Sequence, residues 1–352
     1  MQSRRRDSKH TILVVDDEID NIHLLKRTLR KDYNILTAVS GQEALEVLSS
    51  CETDIALIIS DQRMPGMLGT EFMAQTLDDY PNTIRMLLTG YSDIDAMIEG
   101  INKCRLFQYI TKPWKPDELK LTVKKAIETY NLVIKRENLL TQLRELLYTT
   151  VRAVSDALDQ KDKYTHGHSK RVTLYSLLLG QCLDMDSYTL EKLQLAGLLH
   201  DIGKIGTPES ILNKVGGLTH EEFSVIQRHP TKGKDILKKI SQLQDISSWM
   251  RSHHEKYDGT GYPDKLKGEE IPLPARILAI ADTYDAMTSD RSYRKGLTHE
   301  IAVAEIKKCA GTQFDPQLVE IFLSQQELFR QAKEASSYED SFKEFVTKLA
   351  NE

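Results

Sequence analysis

IALIISD, residues 55–61, is an unbroken apolar run, Ile55–Ile59, followed by Ser60 and an acid. Apolar residues that do not alternate with polar ones suit a strand covered on both faces, as in a parallel sheet. Further runs lie on either side: TILVVDD (11–17), NILTA (34–38), IRMLLTG (84–90) and LFQYITK (106–112). Between them fall helical patterns, such as Ala44, Leu45, Val47 and Leu48. Five strand–helix repeats predict a doubly wound α/β domain with a five-stranded parallel sheet over residues 11–125. Sites in such folds gather at the carboxyl ends of the strands.

Downstream the pattern changes. No proline or glycine occurs from Asp117 to Leu158, and apolar residues recur three to four apart through Ile127, Tyr130, Ile134, Leu139, Leu143, Leu147, Val151 and Leu158. The spacing predicts one long helix, or two joined end to end, as a linker over 126–158. Its apolar stripe reads as a connector and dimer seam; the alternative is packing only against the chain's own two domains. Residues 159–330 carry helical patterns broken by turn signals at GTPES, VGGLT, DGTGYPD and IPLPA, so this region is all-α. The tail, 331–352, is charged and weakly amphipathic and reads as helical.

Composition narrows the classes. The 352 residues carry a net charge of −5, with 40% hydrophobic and 28% charged side chains. That is a folded globular chain with no broad basic surface, which argues against DNA binding. No apolar run approaches the roughly 20 residues of a membrane helix, so no membrane insertion is expected. The basic start, MQSRRRDSKH, has no signal-length apolar stretch behind it. Cys51, Cys104, Cys182 and Cys309 are scattered without a CxxC, as expected of a cytoplasmic protein, and a cysteine-zinc site is disfavoured.

Three acids mark one site. Asp16 and Asp17 end the first strand and Asp61 ends the third, so neighbouring strand ends bring the carboxylates together. Mutual repulsion would be relieved by a hard cation such as Mg²⁺, which keeps waters and phosphate oxygens. Thr89 and Lys112, at the ends of the fourth and fifth strands, complete a phosphoryl pocket with Asp61 as nucleophile. With VVDDE (14–18), SDQRMPG (60–66), LLTG (87–90) and YITKPW (109–114), residues 11–125 resemble a response-regulator receiver domain. The resemblance implies phosphorylation of Asp61 by a cognate sensor histidine kinase. It also implies Mg²⁺ on Asp16 and Asp17, a Lys112 contact to the phosphoryl group, a Thr89–Tyr109 switch pair and a cis Lys112–Pro113 bond.

A second set of residues suits transition metals. His200 and Asp201 are adjacent at the end of an apolar helix, in AGLLHDIGKIG (196–206); such a pair is costly there unless coordinated or hydrogen-bonded. His168 lies on a helical stretch in THGHSKRV, His229 just before Pro230, His253–His254 form a second adjacent pair, and Asp282 lies on an apolar helix, whereas His10, His23, His166, His220 and His299 read as ordinary histidines. Mixed imidazole and carboxylate donors suit Fe or Mn first, then Ni or Zn, and are poor for Ca²⁺.

GHSKRV (167–172), HDIGKIG (200–206), RHP (228–230), HHEKYDGTGYP (253–263) and ADTYDAMTSDRSYR (281–294) resemble the HD-GYP branch of the HD phosphohydrolases. That family cleaves cyclic dinucleotides, chiefly cyclic di-GMP. The resemblance implies His168, His200 and Asp282 on one metal and His229, His253 and His254 on the other. Asp201 would bridge the two, which together acidify a water and make a protein nucleophile unnecessary. It implies Lys204 at the scissile phosphate, Arg291 and Arg294 on the substrate phosphates, and Tyr262 beside the site. Some members carry a glutamate at the position of Tyr164; tyrosine is a poor neutral-pH ligand, so two metals are expected rather than three.

The combination predicts a two-component regulator that hydrolyses cyclic di-GMP to pGpG, and more slowly to GMP, under control of Asp61. The alternatives are another cyclic dinucleotide, such as mixed GMP-AMP, or a non-catalytic nucleotide-binding or protein-interaction regulator.

Overall fold

The computed structural model describes residues 9–90, 104–161, 167–214, 216–290 and 295–335. Strands β1 (Thr11–Val15), β2 (Asn34–Ala38), β3 (Ile55–Asp61), β4 (Ile84–Thr89) and β5 (Gln108–Thr111) form one parallel sheet in the order β2-β1-β3-β4-β5. Helices α1 (Ile19–Leu29), α2 (Gly41–Ser50) and α3 (Gly69–Gln75) lie between strands. Side chains alternate across the sheet. Ile12 and Val14 pack with Leu25 and Leu29 of α1 and with Leu119, Val123 and Ala126 of α4 (Pro116–Lys161). Leu13 and Val15 pack on the other face with Ala44 and Leu48 of α2 and Phe72 and Met73 of α3. Two covered faces on the inner strands β1, β3 and β4 explain their non-alternating runs.

The chain divides into two compact units, residues 1–143 and 144–352, and the boundary falls within α4. The segment expected as one helix or two is a single helix of 46 residues. Leu139, Leu140, Leu143, Leu146 and Leu147 on it are 46–62% exposed in the single chain.

The second unit is helical: α5 (His168–Cys182), α6 (Ser187–Leu199), α7 (Glu209–Leu212), α8 (His220–Ile226), α9 (His229–Leu237), α10 (Gln244–Arg251), α11 (Leu273–Thr288), α12 (His299–Lys308), α13 (Pro316–Ser324) and α14 (Gln326–Ala335). A 3₁₀ turn, Ile202–Gly206, follows α6. Its core joins Tyr175 and Leu179 of α5, Ile280 and Tyr284 of α11, and Phe322 and Phe329 of α13 and α14. Ala332 is buried in that core, so the helix of α14 includes the start of the expected tail; residues 336–352 lie outside the described residues. No helix among the described residues is long and apolar enough to cross a membrane.

Candidate metal centre

A helix leaves its last four carbonyls without intrahelical donors. Three of the candidate histidines use those carbonyls. His200 Nδ1 donates to Gly197 O in the last turn of α6 (2.7 Å), His229 Nδ1 to Ile226 O at the end of α8 (2.8 Å), and His253 Nδ1 to Met250 O in α10 (2.5 Å). A carbonyl only accepts, so each Nδ1 carries the proton and each Nε2 is left with its lone pair. His168 is fixed in the same way from another side: its Nδ1 lies 2.7 Å from Asp285 Oδ2. Helix ends thus select the ring nitrogen that a metal would need.

The Nε2 atoms of His168, His200 and His229 converge on Asp201. One Asp201 oxygen is 3.2 Å from His229 Nε2; the other is 3.4 Å from His200 Nε2 and 3.8 Å from His168 Nε2. Asp282 Oδ1 lies 3.3 Å from His168 Nε2. Donor atoms of His229, His253 and His254 fall within 4.8 Å of one another, as do those of His168, His200 and Asp282, and those of His200, Asp201 and His253. Lys204 Nζ is 2.6 Å from Asp201 Oδ2. Gly203 allows the turn to approach α9: a Cβ there would lie 1.9 Å from His229 O. Gly261 does the same for the following loop, where a Cβ would lie 2.3 Å from Lys256 N, and Tyr262 rests against His254 with ring centroids 4.9 Å apart.

The electrostatics differ between the two groups. Burial disfavours charge on His168, but the Asp282 and Asp285 carboxylates overcome it and hold the imidazole at about 10. Burial and His229 press His254 down to about 3. Burial opposes ionisation of Asp201, yet Lys204, His200 and His229 keep it well below the usual carboxylate range. Neutral rings with lone pairs facing one another repel: His229 Nε2 and His253 Nε2 are 3.4 Å apart, and His200 Nε2 is buried without a hydrogen-bond partner. Divalent cations fit this donor set because they resolve both features.

Sequence reasoning missed the groups behind the ligands. Asp285 is 1% exposed and accepts from Arg171 Nε (2.5 Å) and Nη2 (3.0 Å) as well as facing His168. The available signal was spacing: His168 and Arg171, like Asp282 and Asp285, are three apart on one helix face. Glu255 was missed too. It is buried, and its Oε1 accepts from the backbone N–H of Asp264 (2.6 Å) and Lys265 (3.1 Å), tying down the loop that carries Tyr262. Arg291, Arg294 and Tyr164 lie outside the described residues. Among the expected ordinary histidines, His10 bonds Asn131 and His299 bonds the Tyr284 hydroxyl.

In the first unit, donor atoms of Asp16, Asp17 and Asp61 lie within 4.8 Å of one another at the carboxyl ends of β1 and β3. Lys112 Nζ reaches Asp16 at 2.9 Å and Asp61 at 2.6 Å. Burial raises the Asp61 pKa, against the pull of Lys112. Thr89 is buried at the end of β4, Tyr109 on β5 is 41% exposed, and the Lys112–Pro113 bond is cis.

A doubly wound acid-pocket domain followed by a helical domain with clustered histidines defines a response regulator with an HD-type output. The comparisons agree. A family model described as a response regulator receiver domain matches residues 12–124, and one described as an HD domain matches 152–318. The chain is 31% identical over 334 residues to a cyclic di-GMP phosphodiesterase of Thermotoga maritima, covering 89% of each chain. It is 31% identical to the cyclic di-GMP phosphodiesterase response regulator RpfG of Xanthomonas campestris, covering 91% of this chain and 89% of that one. A 3'3'-cGAMP-specific phosphodiesterase of Vibrio cholerae is 35% identical over 58% of this chain and 41% of its own. The chain belongs to the family of response regulators that join a receiver to an HD domain.

Proposed function

We propose that this protein hydrolyses cyclic di-GMP to linear pGpG, with onward conversion to GMP slower, under control of phosphorylation at Asp61. The observation that carries the reading is Asp201, whose two oxygens face different histidine groups at 3.2 Å and 3.4 Å. His168, His200 and Asp282 would hold one cation and His229, His253 and His254 the other, with Asp201 shared. The donors suit Fe or Mn, and next Ni or Zn. Bound cations supply Lewis acidity and lower the pKa of water. Lys204, whose ammonium is held at Asp201, offsets charge on the phosphodiester. Arg291 and Arg294 offer guanidinium forks to the remaining phosphate oxygens, and Tyr262 forms a wall beside His254. The Lys204 contact holds that ammonium at the metal group until substrate competes for it.

In the receiver, Asp16, Asp17 and Asp61 would hold Mg²⁺ beside the phosphoryl group donated by a sensor histidine kinase, with Lys112, Thr89 and Tyr109 responding to it. Leu140, Leu147 and Val154 recur every seven residues with Leu143 between them, which supports a homodimer through the linker 126–158. Four scattered cysteines without a CxxC suit action in the cytoplasm.

The test is incubation of anaerobically Fe- or Mn-loaded protein with cyclic di-GMP and with 3'3'-cGAMP, separating the products. Linear pGpG formed by wild type and not by Asp201→Ala is the expected result. Preferential cleavage of 3'3'-cGAMP, the second reading suggested by the Vibrio relative, replaces the substrate. Absence of any cleavage by metal-replete protein leaves the non-catalytic regulator.

A further inference from the structure

Lys161 is the last residue of α4 and carries a bond pattern outside the metal centre. Its Nζ donates to Ile205 O at 2.6 Å and to Thr207 O at 3.0 Å. Its own carbonyl, at the end of the helix, accepts from Asn213 Nδ2 at 3.0 Å. Lys232 on α9 donates to the intervening carbonyl, Gly206 O, at 2.8 Å. Consecutive carbonyls 205, 206 and 207 are therefore gripped by two ammonium groups, one on α4 and one on α9.

The gripped segment is the turn that begins at Asp201 and carries Lys204. It is short and stiff: Lys204 N bonds Asp201 O at 2.8 Å and Thr207 N bonds Lys204 O at 2.9 Å. Gly203 is pressed against the backbone of α9. Pulling on carbonyls 205 and 207 must therefore move Lys204, and with it the Asp201 carboxylate that its ammonium contacts. A glycine-poor helix that starts in the first unit ends on the catalytic turn of the second. Charge-assisted bonds to two carbonyls are the strong form of such a link.

We propose that Lys161 is a positioning residue: its ammonium latches the end of α4 to the Ile202–Gly206 turn, so that displacement of the helix repositions Asp201 and Lys204. The latch deepens the phosphorylation-controlled hydrolase reading and rests on it for its purpose, though not for its geometry.

Hydrogen–deuterium exchange of the full chain, with and without beryllofluoride as phosphoryl mimic, tests it. In wild type, exchange of the 202–207 amides should change at least about fivefold, the low end of ordinary coupling between sites. Lys161→Met, which keeps the stem and loses the donor, should abolish the change. Lys161→Ala should do the same, and Lys161→Arg, which still donates, should restore it. An unchanged wild type, or a response that survives in Lys161→Met, overturns the latch. Turnover ratios measured in parallel separate the two claims. A Lys161-dependent exchange response in protein that cleaves no cyclic dinucleotide sinks the hydrolase reading alone, and turnover without that response sinks the latch alone.

Discussion

Replacing Asp285 by asparagine changes almost no volume and removes one charge, yet it should weaken one half of the candidate metal centre. Asp285 faces His168 Nδ1 at 2.7 Å and Arg171 at 2.5 Å and 3.0 Å, and is 1% exposed. Arg171 demands an acceptor, so the amide oxygen of the introduced asparagine turns toward it and the NH₂ group faces His168. The ring must then accept at Nδ1, which puts its only proton on Nε2 and leaves no lone pair there for a metal beside Asp201 and Asp282. Loss of such an outer partner costs about 10–100-fold in metal affinity, or about 1.4–2.7 kcal/mol. A further ~1–3 kcal/mol of folding stability goes with the weakened Arg171 pair. Titration of metal-free protein with Mn²⁺, read by competition with a chelator, should show one weakened site of two, the weak one sharing His168, His200 and Asp282. Asp285→Asn with wild-type affinity at both sites would refute the claim that this carboxylate selects the ligating nitrogen.

Further outcomes follow from the same geometry. In chelated protein His168 is held at about 10, above the roughly 6.5 of an unfolded imidazole. Its ion pairing therefore stabilises fully below pH ~6.5 and is lost as pH rises toward 10, so the thermal midpoint should fall across that window and fall less in His168→Gln. Gly203→Ala puts a Cβ 1.9 Å from His229 O; forced backbone shifts should cost about 1–3 kcal/mol and weaken metal binding at the His229, His253 and His254 group, as calorimetry and metal analysis would show. Leu140→Lys with Leu147→Lys should convert the proposed dimer to monomer in light scattering, and an unchanged mass would remove the helix as the seam.

Much was legible in the sequence because its causes are local. The sheet followed from apolar runs such as Ile55–Ile59, since strands with two covered faces cannot alternate. Asp16, Asp17 and Asp61 could be placed together because parallel strands share one carboxyl end. His200 and Asp201 stood out as a polar pair at the end of an apolar helix, where burial without a partner is costly, and the other candidate ligands were legible only through the motifs they sit in.

What the order of residues left open was decided by contacts between distant segments. Nothing near His168 in the chain names Asp285, 117 positions away, as its partner, and nothing near Lys161 names Ile205 and Thr207. The ring nitrogen each histidine offers depends on which helix-end carbonyl or carboxylate reaches Nδ1. Periodicity and residue type specify which side chains are buried and which chemistry they carry; only the packing of helices fixes hydrogen-bond partners within a few tenths of an ångström, and here that distance sets the tautomers, the charges and the grouping of the ligands.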